Sequence, residues 1–103
     1  MCVLALAGEL DRTNSGELAS YLKQARRPGD HVVVDLAELS FMDSSGLHLL
    51  LDCHRACLAD GASLHLAAAY GAPARVLEVT GVARFLPGHA TLQEAIATVL
   101  RRP

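Results

Sequence analysis

Asp43-Ser44-Ser45-Gly46, within the stretch SFMDSSGLHLLL at residues 40–51, places an acid, two small hydroxyls and a glycine between an apolar approach and a leucine-rich run. A side-chain oxygen at the first turn of a helix accepts hydrogen bonds from backbone N–H groups that have no partner inside the helix, so Asp43 or Ser44 can serve as the cap. Capping uses one residue of this kind, which leaves a hydroxyl for another molecule to reach. The glycine leaves the approach to that loop open. Ser44, His48 and Asp52 also follow one another at intervals of four and carry the residue types of a hydrolase triad. Side chains on one helix lean toward its N-terminus and do not converge on a reacting atom, and no G-x-S-x-G elbow surrounds the serine. No enzyme is expected, and His48 with Asp52 reads as a solvated pair on the helix surface.

The other reactive residue types carry less. Cys2, Cys53 and Cys57 form no even framework and read as reduced thiols. Cys53 and Cys57 stand one helical turn apart without a C-x-x-C, and a zinc site would need two further ligands, so no metal is expected. His31, His54, His65 and His89 read as strand-edge, helix-flank and loop residues. Gly8, Gly16 and Gly46 form neither a P-loop nor a dinucleotide fingerprint, so no cofactor is expected and any ATP must arrive with a partner. A net charge of −2, from nine basic and eleven acidic residues, gives no field suited to nucleic acid. The basic doublets Arg26-Arg27 and Arg101-Arg102 sit where helices should end, as dipole partners. The opening MCVLALAGELD meets charge at Glu9, too short an apolar run for a signal peptide or a membrane span. The expectation is a cytoplasmic protein with no membrane partner.

Elements must hold these residues in place. With 103 residues, 51% hydrophobic but only 4% aromatic, the chain fits one domain with an aliphatic core. CVLALA at residues 2–7 reads as a strand closed by Gly8. A helix follows, with Leu18, Tyr21, Leu22 and Ala25 at helical spacing, Asn14 and Glu17 in capping-box form, and Pro28-Gly29 as its stop. HVVVDL at residues 31–36 is β-branched and reads as a central strand buried on both faces, with Asp35 satisfying loop N–H groups at its end. A second helix runs from about Ser44 to Ala59 with Leu47, Leu50, Leu51, His54 and Leu58 on its buried stripe, and Asp60-Gly61 ends it. SLHLAA at residues 63–68 is the next strand, APARVLEVTG a short helix with Pro73 near its start, and RFLP a brief edge strand. Thr91 and Glu94 repeat the capping-box form ahead of a last helix that buries Leu92, Ala95, Ile96, Val99 and Leu100. Strands alternating with helices predict an α/β fold with a largely parallel sheet. In such a sheet the loops leaving neighbouring strands open on one edge, which brings Asp11 to Ser44.

GELD at residues 8–11, VVVDLAELSFMDSSGL at residues 32–47 and APARVLEVTGVARFL at residues 72–86 together resemble a STAS domain of the anti-sigma factor antagonist branch, over nearly the whole chain and in the same order. The resemblance implies one domain over residues 1–103, with a mixed, mostly parallel sheet of about four strands and about four packed helices. It implies that the unphosphorylated form binds an anti-sigma factor that is also a serine kinase and so frees a sigma factor. Phosphorylation of the first serine of the D-S-S-G motif, here Ser44, ends that binding, and a serine phosphatase reverses it. The acid of the GELD turn, close to the phosphorylated serine in this family, is Asp11. Asp11, Asp43, Ser44, Ser45, Gly46 and His48 are then the partner-binding residues. Two features differ from the family. A strand usual ahead of GELD is missing or shortened, which leaves a strand edge open for a homodimer. His48 stands where relatives carry a second glycine. A STAS scaffold or stress-complex subunit without sigma-factor control is the alternative reading.

Overall fold

The computed structural model describes residues 1–101; Arg102, half of the second basic doublet, and Pro103 lie outside the described residues. The elements follow in the order β1 Cys2–Leu10, α1 Ser15–Ala25, β2 Val32–Met42, α2 Ser44–Ala59, β3 Leu64–Ala67, α3 Gly71–Val79, a 3-10 turn at Val82–Arg84, β4 Gly88–His89 and α4 Leu92–Leu100. The strands form one four-stranded sheet in the order β1-β2-β3-β4, and every pairing among the described strands is parallel. This is the α/β domain of four strands and four helices that the sequence implies.

Position in the sheet explains which residues are buried. Val32, Val33 and Val34 lie between β1 and β3 and are almost fully shielded from solvent, as a strand covered on both faces must be. The larger core gathers Val32, Val34, Leu36, Leu64 and Leu66 from the sheet against Leu22 of α1, Leu47 and Leu50 of α2, and Leu77 of α3. A smaller one joins Val33 and Ala67 to Ala95 and Val99 of α4. The sheet is therefore sandwiched between α1–α3 on one face and α4 on the other.

β2 outruns the expected 31–36 strand, since its second half, through Met42, pairs with β1 alone. That long β1–β2 ribbon carries two register irregularities, one of them at Gly8, whose φ of +76° is left-handed and natural only to glycine. Asp35 accepts from the Ala37 N–H at 3.0 Å, the role expected of it.

Three local expectations are corrected. RFLP is not a strand: Leu86 is buried in the main core, and the pairing segment is Gly88–His89. Pro87 has no N–H to give a ladder, but its carbonyl accepts from Leu66 N–H at 2.8 Å, so pairing begins from that residue onward. On α2, Leu58 is 59% exposed while Leu49 and Cys57 are buried, because α1 packs beside the helix as well as the sheet. Tyr21 and Leu100 are exposed too, since the helices carrying them are covered on a narrower arc than the apolar spacing suggests.

The thiols are packed, not poised. Cys57 is fully buried and Cys53 half-buried, and burial, followed by the neighbouring thiol of Cys57, pushes Cys53 up to about 12. Arg26 fixes the end of α1 to the end of α2 by donating Nη1–H to Asp60 Oδ2 at 2.8 Å. Among the described residues no cluster of three or more His, Cys, Asp or Glu side chains could hold a metal ion. No helix among them is long and apolar enough to cross a membrane.

Candidate functional site

β1 and β2 run side by side to the same edge, with Leu10 paired to Met42, so the loops that follow them must meet. Asp43 N–H donates to Leu10 O at 3.2 Å and ties the two together. The Asp43 side chain then caps α2: its Oδ1 accepts from Ser45 N–H at 2.8 Å and from Gly46 N–H at 3.3 Å. The division of labour left open by the sequence is thus fixed, with the acid as cap. Ser44, the first helical residue, is exposed, Ser45 is half-buried, and among the described residues neither hydroxyl is engaged in a hydrogen bond.

The loop after β1 is held just as firmly. Asn14 was expected to cap α1 with Glu17, yet its side chain makes no cap bond. Its Oδ1 accepts from Asp11 N–H at 2.9 Å, and its Nδ2–H donates to Glu9 O at 2.8 Å. The amide therefore staples residues 9–14 into a tight turn. Within it Asp11 Oδ1 accepts from the Thr13 hydroxyl and from Thr13 N–H. The Thr13 hydroxyl first, and then the Thr13 N–H, hold the Asp11 carboxyl below the usual carboxylate range. Asp11 is consequently an anion throughout the neutral range.

Asp11, Arg12, Thr13, Asp43, Ser44 and Ser45 line one open cleft of about 310 Å³. Of the six residues singled out from the sequence, the fold brings four into this cleft. His48 is exposed one turn further along α2 and is not part of the lining. Gly46 is buried beneath it: a Cβ there would stand 2.6 Å from Met42 Cγ and 2.9 Å from two side-chain carbons of Leu10. The sequence suggests that this glycine clears the approach to the loop; in the structure it lets the last residues of β1 and β2 pack under the start of α2. Arg12 and Thr13 were missed. Their only signal was adjacency to Asp11, and turn residues without periodicity give no indication of where they point.

The triad reading finds no geometry. Asp52 Oδ1 accepts from Arg55 Nη1–H at 2.6 Å, so its partner is Arg55 and not His48, and no hydrogen bond among the described residues joins Ser44, His48 and Asp52.

A family model for the STAS domain matches residues 1–95. The chain belongs to the STAS domain family. Within the family it is 30% identical over 87 residues to an anti-sigma F factor antagonist of Paenibacillus polymyxa, a match covering 82% of this chain and 74% of that protein. Its backbone superposes with a TM-score of 0.75 on the anti-sigma factor antagonist SpoIIAA in its unphosphorylated form, at 27% identity, over 98% of this chain and 89% of the other. It also superposes on a sulfate transporter family protein from Wolinella succinogenes, with a TM-score of 0.82 at 16% identity, over 95% and 83% of the two chains. That last likeness shows a shared fold alone, and a fold does not by itself give a function.

Proposed function

We propose that this STAS protein is an anti-sigma factor antagonist, whose unphosphorylated form binds an anti-sigma factor serine kinase and frees the sigma factor. The observation that carries the reading is the division of labour at the start of α2: Asp43 does the capping and leaves the Ser44 hydroxyl exposed and unbonded in a cleft shared with Asp11. The relatives named as anti-sigma factor antagonists support it. A kinase needs an accessible hydroxyl in a defined position, and the first residue of a capped helix provides one. The partner surface comprises Asp11, Asp43, Ser44, Ser45 and His48, with Gly46 setting the helix beneath it.

The switch follows from charge. A phosphate on Ser44 adds about −1.5 to −2 charges beside Asp11 and Asp43. The helix dipole favours that charge, so the domain stays folded. An approaching surface that fits two carboxylates meets repulsion and bulk instead. A serine phosphatase resets the site. The ATP belongs to the partner, and the protein acts in the cytoplasm. The reading is tested by incubating the protein with candidate anti-sigma kinases and ATP and locating the phosphate by mass spectrometry. Phosphate at Ser44 supports it; no incorporation with any such kinase favours a STAS scaffold without sigma-factor control.

A second copy of the chain is a further proposed partner. β1 pairs with β2 on one side only among the described strands, and Met1 just ahead of it and Val3 on it are each 46% exposed. An unpaired edge of this kind invites strand pairing between copies. Light scattering is expected to show dimer growing in from micromolar to millimolar protein; a monomeric mass throughout would exclude the edge as an interface.

A further inference from the structure

Two acids and one cation, Arg12, are among the residues that line the cleft with Ser44. The backbone that carries Arg12 is fixed, because Asp11 O accepts from Ser15 N–H at 2.9 Å and from Asn14 N–H at 3.3 Å while the Asn14 amide staples the same turn. Its side chain is not. Arg12 is exposed, and among the described residues its guanidinium makes no hydrogen bond or ion pair, whereas Arg26 and Arg55 are taken by Asp60 and Asp52. The neighbouring acids are engaged elsewhere: Asp11 Oδ1 accepts from Thr13, and Asp43 Oδ1 from the first turn of α2.

A phosphate on Ser44 brings three strong acceptor oxygens into this cleft. A helix start ordinarily meets an anion with backbone N–H groups that lack partners. Here those groups are occupied. Asp43 Oδ1 has taken Ser45 and Gly46 N–H, and Leu47 N–H donates to Asp43 O at 3.1 Å, so α2 offers the phosphate its dipole and no backbone donor beyond that of Ser44 itself. Of the side chains lining the cleft, Arg12 alone carries positive charge. Its planar guanidinium presents paired N–H donors whose spacing matches two phosphate oxygens.

Resting on the reading of Ser44 as the modified hydroxyl, we propose that Arg12 clamps the phosphate of phosphorylated Ser44. Modification then changes the cleft twice, adding negative charge and withdrawing the one cation that the unmodified lining presents to a partner. The clamp also holds the phosphate against the protein, so a serine phosphatase must displace the guanidinium before it reaches the phosphorus.

Phosphoserine installed at residue 44 during translation tests the clamp without any kinase. A failure of the antagonist reading, seen as no labelling of Ser44 by anti-sigma kinases, is therefore separate from a failure here. The ³¹P shift followed against pH gives the second ionisation of the phosphate, which for a phosphoserine lies near about pH 6. A touching cation favours the dianion, and the carboxylates of Asp11 and Asp43 oppose it. Both acids, and His48 one turn along α2, are common to the wild type and Arg12→Gln and cancel in the comparison. At about 0.15 M salt, where exposed charges more than about 8 Å apart are largely screened, Arg12→Gln is expected to raise that ionisation by about 0.5 unit, or about threefold in proton affinity. Arginine side-chain ¹H–¹⁵N spectra give a second readout at fixed pH: the Arg12 Nε–H signal of the full chain should shift when Ser44 carries phosphate. The same phosphate ionisation in the wild type and Arg12→Gln, or an Arg12 Nε–H signal unmoved by phosphorylation, would overturn the proposal.

Discussion

Ser44→Ala is expected to abolish phosphate incorporation by the cognate anti-sigma kinase, while Ser45→Ala retains most of it. The two hydroxyls are neighbours in sequence but not in circumstance. Ser44 is exposed in the cleft with Asp11, whereas Ser45 is half-buried and its N–H is held by the Asp43 cap. Because Asp43 does the capping, Ser44→Ala removes no helix-terminal hydrogen bond, and its melting temperature should stay within a few degrees of the wild type. Labelling that survives Ser44→Ala and disappears in Ser45→Ala would reassign the acceptor.

Gly46→Ala should act on the fold instead of the chemistry. The added methyl would meet Met42 and Leu10 at 2.6 and 2.9 Å, where those side chains close the main core beneath the cleft. Overpacking of this kind costs about 1–3 kcal/mol, which in a domain of this size lowers the melting temperature by about 4–8 °C for each kcal/mol. The start of α2 must shift to relieve the contact, so labelling of Ser44 is expected to slow in the fraction that remains folded. Thermal unfolding measures the first effect; a variant as stable as the wild type would show that Gly46 is not a packing constraint.

The parts of this account that were legible in the sequence are those fixed by periodicity and local chemistry. The β-branched Val32–Val34 run announced a central strand, and Asp43 ahead of Ser44–Ala59 announced a helix start, because a buried strand and a capped helix each leave a residue-by-residue signature. The meeting of Asp11 with Ser44 also followed, since two adjacent parallel strands end on one edge. What escaped depended on tertiary partners. Asn14 is the exception, with partners that are local: it has the residue type of a cap, yet it staples the preceding turn through Glu9 O and Asp11 N–H, a choice that residue type alone does not reveal. Gly46 reads as a gap at the surface until the side chains of Leu10 and Met42 are placed under it.

The binding of the anti-sigma kinase to the unmodified protein, to the Ser44-phosphorylated protein and to Asp11→Asn, measured side by side, tests the central claim most directly. The account predicts at least tenfold weaker binding after phosphorylation, with the melting temperature unchanged within a few degrees, because the charge is placed where the helix tolerates it and the partner does not. Asp11→Asn keeps the acceptor for Thr13 and removes one charge, so it should change affinity several-fold while the melting temperature stays within a few degrees of the wild type. Undiminished affinity of the phosphorylated protein, together with wild-type binding by Asp11→Asn, would contradict the account and remove this edge of the sheet as the interface.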